Sequence, residues 1–577
     1  MLMNVRTSAF RLLCAGLVST SLLTIQPTAG WSQVDSAGWH AKRAGLVAPL
    51  DIPLVLAGNF GELRADHFHT GLDFKTQGRE GVPVIAASDG VISRVKVSPF
   101  GYGRAVYLNS PEGWTTVYAH LQKFTPEVEN WVRERQYQKQ RFALDESPKP
   151  DFVFSQGDTI GWSGNSGGSA GPHLHFEVRE TATQRPVNPL FWGFDVSDAI
   201  PPELSGLWVL PINGGRVNGG TRPRLISPET PSVRIEGEAR FAVQALDRLD
   251  AAKNRCGVYR AELRINDSLE HAWELDKLDF AVNRDMNALA YYPEWERTGD
   301  QVYRMHRLPG SRLPVHDAGM VSAASKRNDS LPVQVAVQLW DVHGNTTAHA
   351  WEVQWTERTE VQSDKEARFS FDEVHQLTLD GATVRIPKNT FYDDFHFPFT
   401  WEEERNEWEI GSSDMPAARA VEVALPTAIP ETMRAGVLAI RRGRDGDIEG
   451  TYAGSWQEDG RFAFSTKTCG RYALEWDSVP PTIRPHKRHR TSAQDTLVVR
   501  NFGELRFSLA DDLSSIETWE GRLDGAWILM RWDPKRERIW YDLSDQRHEE
   551  GIDQELVIQA RDEVGNQVVW RGTVRFE

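Results

Sequence analysis

Cysteine is scarce: three among 577 residues. That excludes a disulfide-stapled scaffold and a cysteine-ligated zinc array. Positive charge is also in deficit, with 65 Lys and Arg against 81 Asp and Glu and a formal net charge of −16. Such a chain lacks the basic footprint that neutralises nucleic-acid phosphates, so nucleic acid is not an expected partner. Past residue 30 no apolar run approaches the ~18 residues that begin to suggest a membrane span. Disorder is excluded too, because 40% of residues are hydrophobic and only 25% charged. What is left is a globular chain long enough for about four domains of roughly 150 residues each.

The one long apolar stretch is at the start. Arg6 and Arg11 accompany a mostly apolar run over 12–25, and Pro27-Thr28-Ala29-Gly30 supplies small residues. Residues 1–30 therefore read as a signal peptide, its apolar part shorter than the ~20 residues of a spanning helix. Its removal takes Cys14 away and leaves Cys256 and Cys469, which either pair in an oxidising compartment or stay as separate buried thiols. The mature chain is expected to be exported to the periplasm, cell envelope or extracellular space, with no transmembrane segment.

Over 49–197, short apolar runs such as Arg104-Ala-Val-Tyr-Leu108 and Trp114-Thr-Thr-Val-Tyr118 alternate with glycine and proline. That punctuation predicts an antiparallel β-domain. Thr125-Pro126 interrupts it as a helix start, and Val128, Trp131 and Val132 follow at helical spacing. The segment 122–152 is thus expected to be a helical insertion covering part of the domain.

Later residues read as β-sandwich-like over 198–358, β-rich over 359–479 and immunoglobulin-like over 482–577, with Pro480-Pro481 as a linker. The fold class is mainly β. Three strings resemble one another: Ala242-Val-Gln-Ala-Leu-Asp247, Ala336-Val-Gln-Leu-Trp-Asp341 and Val557-Ile-Gln-Ala-Arg-Asp562. The last two run on into Gly344-Asn345 and Gly565-Asn566, which suit tight hairpins. A calcium loop needs more carboxylates than one such turn holds. Asn59-Phe-Gly-Glu-Leu-Arg64 recurs at 501–506 without a following histidine, and is read as a shared strand-turn solution. The basic run 484–490 is read as a solvated linker.

Five of the sixteen histidines fall between 67 and 175, in His67-Phe-His69-Thr-Gly-Leu-Asp73, Tyr118-Ala-His120-Leu121 and Gly171-Pro-His173-Leu-His175-Phe-Glu177. Residues two apart on a strand share a face, so His173 and His175 present both imidazoles to one space. Gly71 is read as letting the chain bend, so that the first string converges from a second direction. Zinc takes two imidazoles and a carboxylate readily, and a catalytic site leaves the fourth position open. The remaining histidines titrate near working pH and suit proton transfer. His67 and His69 also form a His-x-His pair, so either is a candidate ligand. Glu177 shares the His175 face and is read as holding a histidine or an arginine in place.

These strings, in this order, resemble the lysostaphin/LytM-type zinc endopeptidases, which cleave peptide bridges of bacterial peptidoglycan. The likeness covers roughly 52–195 and includes Gly157-Asp-Thr-Ile-Gly161. It implies a small antiparallel β-barrel or sheet peptidase domain binding one Zn2+ through His69, Asp73 and His175. His120 and His173 become the catalytic histidines, and His67 a rim residue. The implied substrate is a peptidoglycan peptide, D-alanyl–diamino-acid bridges in a Gram-negative-type envelope. Two other readings compete: a zinc-free barrel that activates or scaffolds other wall hydrolases, and an envelope-binding protein dominated by its sandwiches. The complete set of ligands and histidines disfavours the first. Activity of residues 31–200 alone discriminates the second. Protein partners stay open.

Overall fold

The computed structural model describes residues 43, 45–149, 151–316, 332–357, 368–491, 496–500 and 503–577. The signal-peptide expectation for 1–30 lies outside them. Between 56 and 187 the punctuated sequence forms twelve short strands and one helix. They are β1 (Leu56–Gly58), β2 (Leu72–Lys75), β3 (Pro83–Ile85), β4 (Gly90–Val97), β5 (Arg104–Asn109), β6 (Trp114–Ala119), β7 (Lys123–Phe124), α1 (Pro126–Lys139), β8 (Leu144–Glu146), β9 (Val153–Phe154), β10 (Thr159–Trp162), β11 (His173–Glu180) and β12 (Pro186–Val187).

Nine of these strands form one sheet, ordered β1-β2-β11-β6-β5-β4-β8, with β12 on β11 and β9 on β4. The other three, β3-β10-β7, make a small second sheet. Strand β11 is central, antiparallel to β2 on one side and β6 on the other. Its period-two alternation divides the chemistry. Leu174, Phe176 and Val178 point into an apolar layer, where Phe176 packs 5.4 Å from Tyr118, 6.3 Å from Phe74 and 5.8 Å from Phe194, ring centre to ring centre. Burying such a side chain contributes about 2–3 kcal/mol. The histidines and Glu177 point to the other face.

Helix α1 begins as its sequence predicts, with Thr125 in an extended cap conformation and proline in the first turn. Glu127 and Glu129 near its start and Lys139 near its end suit the helix dipole. Val128, Val132 and Gln136 are buried. The insertion is not purely helical, because β8 returns to pair with β4.

Beyond the first domain, Glu203–Thr356 contributes one eight-stranded ladder that includes the long strands Glu203–Val217 and Val233–Leu246. His375–Trp476 forms two five-stranded sheets around Phe391, Trp408, Phe462 and Tyr472. Thr482–Phe576 forms a four-stranded and a six-stranded sheet around Phe507, Ile539, Tyr541 and Ile558. The basic run is therefore not a loose linker: 482–485 is a strand of the last domain. The repeated hexapeptide takes two conformations. Glu504-Leu505-Arg506 lies in a strand, whereas Glu62-Leu63-Arg64 has a single bridge, Leu63 to Phe68; Asn501 and Phe502 lie outside the described residues. Cys256 and Cys469 are separate, buried, free thiols.

Candidate metal and catalytic site

Strand register assembles the site. His175 on β11 is paired with Asp73 on β2 and with Ala119 on β6, so His120 emerges beside it from the end of β6. His69 returns to the same point through main-chain bonds: its N–H donates to Glu62 O and its carbonyl accepts from Gly61, each at 2.9 Å. Gly71 stands at the expected bend and has a second role. A Cβ there would stand 2.4 Å from Phe176 O, so glycine is needed for β2 to lie close to β11.

Three atoms converge: His69 Nε2, His175 Nδ1 and Asp73 Oδ1, separated by 3.0, 2.9 and 3.1 Å. Each side chain is anchored by its other end. His69 Nδ1 lies 2.7 Å from Asn59 O, which fixes a proton there and leaves Nε2 as a lone pair. His175 Nε2 lies 2.8 Å from Glu177 Oε1, which likewise leaves Nδ1 as a lone pair. Asp73 Oδ2 accepts from Arg64 Nη2 at 2.9 Å. All three residues are at most 9% exposed. Two imidazole lone pairs and a carboxylate oxygen facing one point are a donor set for a borderline-soft divalent cation, zinc above all.

The electrostatics agree. Burial lowers the pKa of His69. Burial would raise that of Asp73, but the surrounding imidazoles of His69, His173 and His175 hold it well below the usual carboxylate range. Burial would lower His175, yet hydrogen bonds to Asp73 and Glu177 push it up to about 9. The pocket favours positive charge where the three atoms meet.

His120 and His173 flank this group, their rings 4.7 Å apart, and the His120 ring is 5.9 Å from that of His175. His173 Nε2 lies 3.4 Å from Asp73 Oδ1. His120 Nδ1 lies 2.9 Å from Ser166 O, and His173 Nδ1 2.9 Å from Gly171 O. Those carbonyls fix the proton on Nδ1 of each ring, which leaves Nε2 of His120 free and turns Nε2 of His173 toward Asp73 Oδ1. Burial, then the charges of His175 and His173, push His120 down to about 3, so its imidazole is neutral. It also holds φ at +58°, a backbone conformation non-glycine residues rarely adopt, and one that clusters at functional sites. His67 stays apart: its side chain is 54% exposed and bonds Asp66.

Glu177 holds both a histidine and an arginine, as its spacing suggested; its other partners had no signal in the sequence. Glu177, fully buried, accepts from Thr70 Oγ1 at 2.7 Å, Tyr102 OH at 2.5 Å and Arg179 Nε at 2.6 Å, as well as meeting His175. Arg179, two residues beyond Glu177 on the same strand, was not singled out. Tyr102, Asn59 and Arg64 come from loops whose positions follow from the tertiary fold. From the last domain, Lys535 Nζ donates to Asn165, Gly167 and Ser169 oxygens in the loop before β11. Trp532 stands edge-on to Phe100, 5.6 Å away, and Arg133 of α1 donates to Ser544 O. A cleft of about 560 Å³ runs between these parts, from Gln122 and Ser166 beside His120 to Trp532 and Arg538.

A β-sheet that gathers two imidazoles, a carboxylate and two further histidines makes a group that could hold a metal ion, as hydrolase sites do. Residues 67–137 match the model of peptidase family M23, a stretch that contains His69, Asp73 and His120. The sheet unit that carries the cluster is a peptidase family M23 domain. The DD-carboxypeptidase/endopeptidase Mpg of Neisseria meningitidis is 38% identical over 138 residues, 24% of this chain and 24% of that protein. The peptidoglycan DD-endopeptidase ShyA of Vibrio cholerae is 28% identical over 173 residues, 29% of this chain and 34% of that one. The chain thus matches about a quarter to a third of the length of these relatives. A solved zinc containing peptidase from Vibrio cholerae aligns at 26% identity over 26% of this chain and 39% of that chain, with a TM-score of 0.19. Among the described residues no helix is long and apolar enough to cross a membrane.

Proposed function

We infer that the protein is an exported, zinc-dependent metalloendopeptidase that hydrolyses peptide cross-links of peptidoglycan. The convergence of His69 Nε2, His175 Nδ1 and Asp73 Oδ1 carries this reading, because each atom is left free by an anchor on the far side of its own side chain. The names of the relatives, a DD-endopeptidase among them, support the substrate class. One zinc ion held by these three residues would make water acidic enough to attack at neutral pH and polarise the scissile carbonyl.

The chain's own residues supply the rest. Neutral His120 offers Nε2 beside the cluster, and His173 Nε2 stands 3.4 Å from Asp73 Oδ1. One takes the proton of the attacking water; the other, once protonated, stabilises the oxyanion or gives its proton to the leaving amine. Ser166 O and Gly171 O hold the two rings in orientation. The cleft beside His120 suits an extended peptide, and the loop that Lys535 ties down forms one of its walls.

The test is digestion of purified sacculi with mass analysis of the released fragments. The zinc-loaded protein is expected to convert cross-linked dimers to monomers, and His69→Ala to lose metal and activity together. His120→Ala should keep zinc while the rate falls about 10²–10⁴-fold, the usual range for a general acid or base. Intact cross-links after treatment with zinc-loaded wild type overturn the reading.

A further inference from the structure

The two D-x-x-G-N turns do not stand alone. Asp341 lies beside Asp198, and Asp562 beside Asp477 and Asp511; in each group the candidate ligand atoms lie within 4.8 Å of one another. The two clusters are built alike. Asp198-Ala-Ile-Pro-Pro-Glu203 and Asp477-Ser-Val-Pro-Pro-Thr482 lead into the first strands of their modules. Asn345 Nδ2 donates to Asp198 O and Asn566 Nδ2 to Asp477 O, both at 3.2 Å. A carboxylate follows the second long strand of each module, and Asp511, after Glu504–Ala510, completes the second group. In the first the third member is His343, while Asp247, after Val233–Leu246, lies near enough to feel the charges of Asp341 and Asp198.

Hairpin formation accounts for Asp341 and Asp562, whose oxygens accept from the turn's own N–H groups. It does not account for the others. Asp477 is 2% exposed, yet its Oδ2 has no hydrogen-bond partner, and the same holds for Oδ1 of Asp247, also 2% exposed. Oδ2 of Asp511 is buried and unbonded too, whereas Oδ2 of Asp198 has His343 Nδ1 3.4 Å away. Among the described residues no Lys or Arg pairs with any of these acids. Buried carboxylate oxygens without partners cost several kcal/mol unless a cation meets them.

We propose that each module binds one Ca2+ where its leading linker joins the sandwich, through Asp198, Asp247 and Asp341 in the first and Asp477, Asp511 and Asp562 in the second. One turn has too few carboxylates for calcium; the fold adds one from the linker and one from a strand end. The second site offers oxygen alone, the donor a hard cation takes, with water completing the six to eight ligands calcium prefers. The first adds His343, whose Nδ1 lies 3.4 Å from Asp198 Oδ2. Bound there, the ion ties a linker to the sandwich it precedes. At the second site it fixes the joint where Leu513 and Val564 pack on Leu438, Ile440 and Ala473 of the preceding domain. That joint sets the angle at which the domain carrying Lys535 meets the cleft.

The experiment uses the full chain, stripped of divalent ions and reloaded with one equivalent of zinc. Calcium is titrated by calorimetry, with thermal unfolding in parallel. Two Ca2+ per chain, a raised midpoint and no equivalent effect from Mg2+ are expected. Asp477→Asn and Asp247→Asn should each remove one equivalent and leave the other. Absence of calcium binding by the wild type at millimolar concentration overturns the proposal whatever the variants do. Unchanged stoichiometry in a folded variant overturns it for that module.

Discussion

Replacing Glu177 by Gln tests how the metal site is held. The side chain is fully buried and its two oxygens serve four partners: Thr70, Tyr102 and His175 on Oε1, Arg179 on Oε2. Glutamine keeps the shape but has one acceptor oxygen. With that oxygen toward His175, the amide N–H₂ faces the Arg179 guanidinium, donor against donor. Breaking a buried ion pair by removing one partner costs about 3–5 kcal/mol. Arg179 retains Tyr102 OH at 3.2 Å, so the lower end, about 3 kcal/mol, is expected. A neutral amide also makes the His175 imidazole a poorer donor to a metal, and loss of such an outer partner lowers affinity about 10–100-fold, which is about 1.4–2.7 kcal/mol. Denaturation of the metal-free protein reads the first effect, and competition with a chromophoric zinc chelator the second. A zinc Kd within twofold of wild type, together with an unchanged unfolding midpoint, refutes the reasoning.

Gly71→Ala places a Cβ 2.4 Å from Phe176 O and 2.8 Å from Glu177 Cγ. Prising β2 from β11 should cost about 1–3 kcal/mol and separate Asp73 from His175; wild-type zinc uptake in equilibrium dialysis contradicts this. Lys535→Ala leaves the oxygens of Asn165, Gly167 and Ser169 without their ammonium. Hydrogen exchange over 164–170 should then accelerate about tenfold, one lost hydrogen bond's worth, and unchanged exchange rejects the tie. Acid should weaken the middle of the chain through His271 and His316. Burial, then the His316 charge, pushes His271 down to about 3, and burial pushes His316 down to about 4. The unfolded forms titrate near 6.5, so between those values unfolding takes up protons, and stability present above pH 6.5 is lost as pH falls. At pH 5 the loss is about 2 kcal/mol per histidine. Urea midpoints at pH 7 and 5 measure it, and His271→Leu should flatten the difference; equal slopes for both proteins count against the assignment.

What the sequence displayed of the site was its local periodicity. The two-residue spacing of His173, His175 and Glu177 places them on one face of any strand, and β11 is that strand. Thr125-Pro126 marks a helix start because cap and fixed φ are both local properties. Register was not visible. Nothing in the strings says that Asp73 lies opposite His175, or that Ala119 flanks its other side, since pairing depends on how whole strands pack. Gly71 was read only in part for the same reason: its bend is local and is there, but a close approach to Phe176 O belongs to the partner strand. The hexapeptide shared by 59–64 and 501–506 makes the point directly, because Leu63 holds one bridge while Leu505 lies in a strand. Lys535, some 370 residues from Asn165, carried no signal at all.

That distance orders events during synthesis. All five histidines and Asp73 leave the ribosome with the first third of the chain, while Lys535 follows some 370 residues behind its loop. At about 5–20 residues per second the interval is roughly 20–70 s. Throughout it the nascent sheet presents its histidine-lined face with one flank of the groove still unmade. Any chain stopped short by a premature stop codon or clipped by a protease carries that unfinished groove permanently, and its loop 163–171 lacks the ammonium that tethers it.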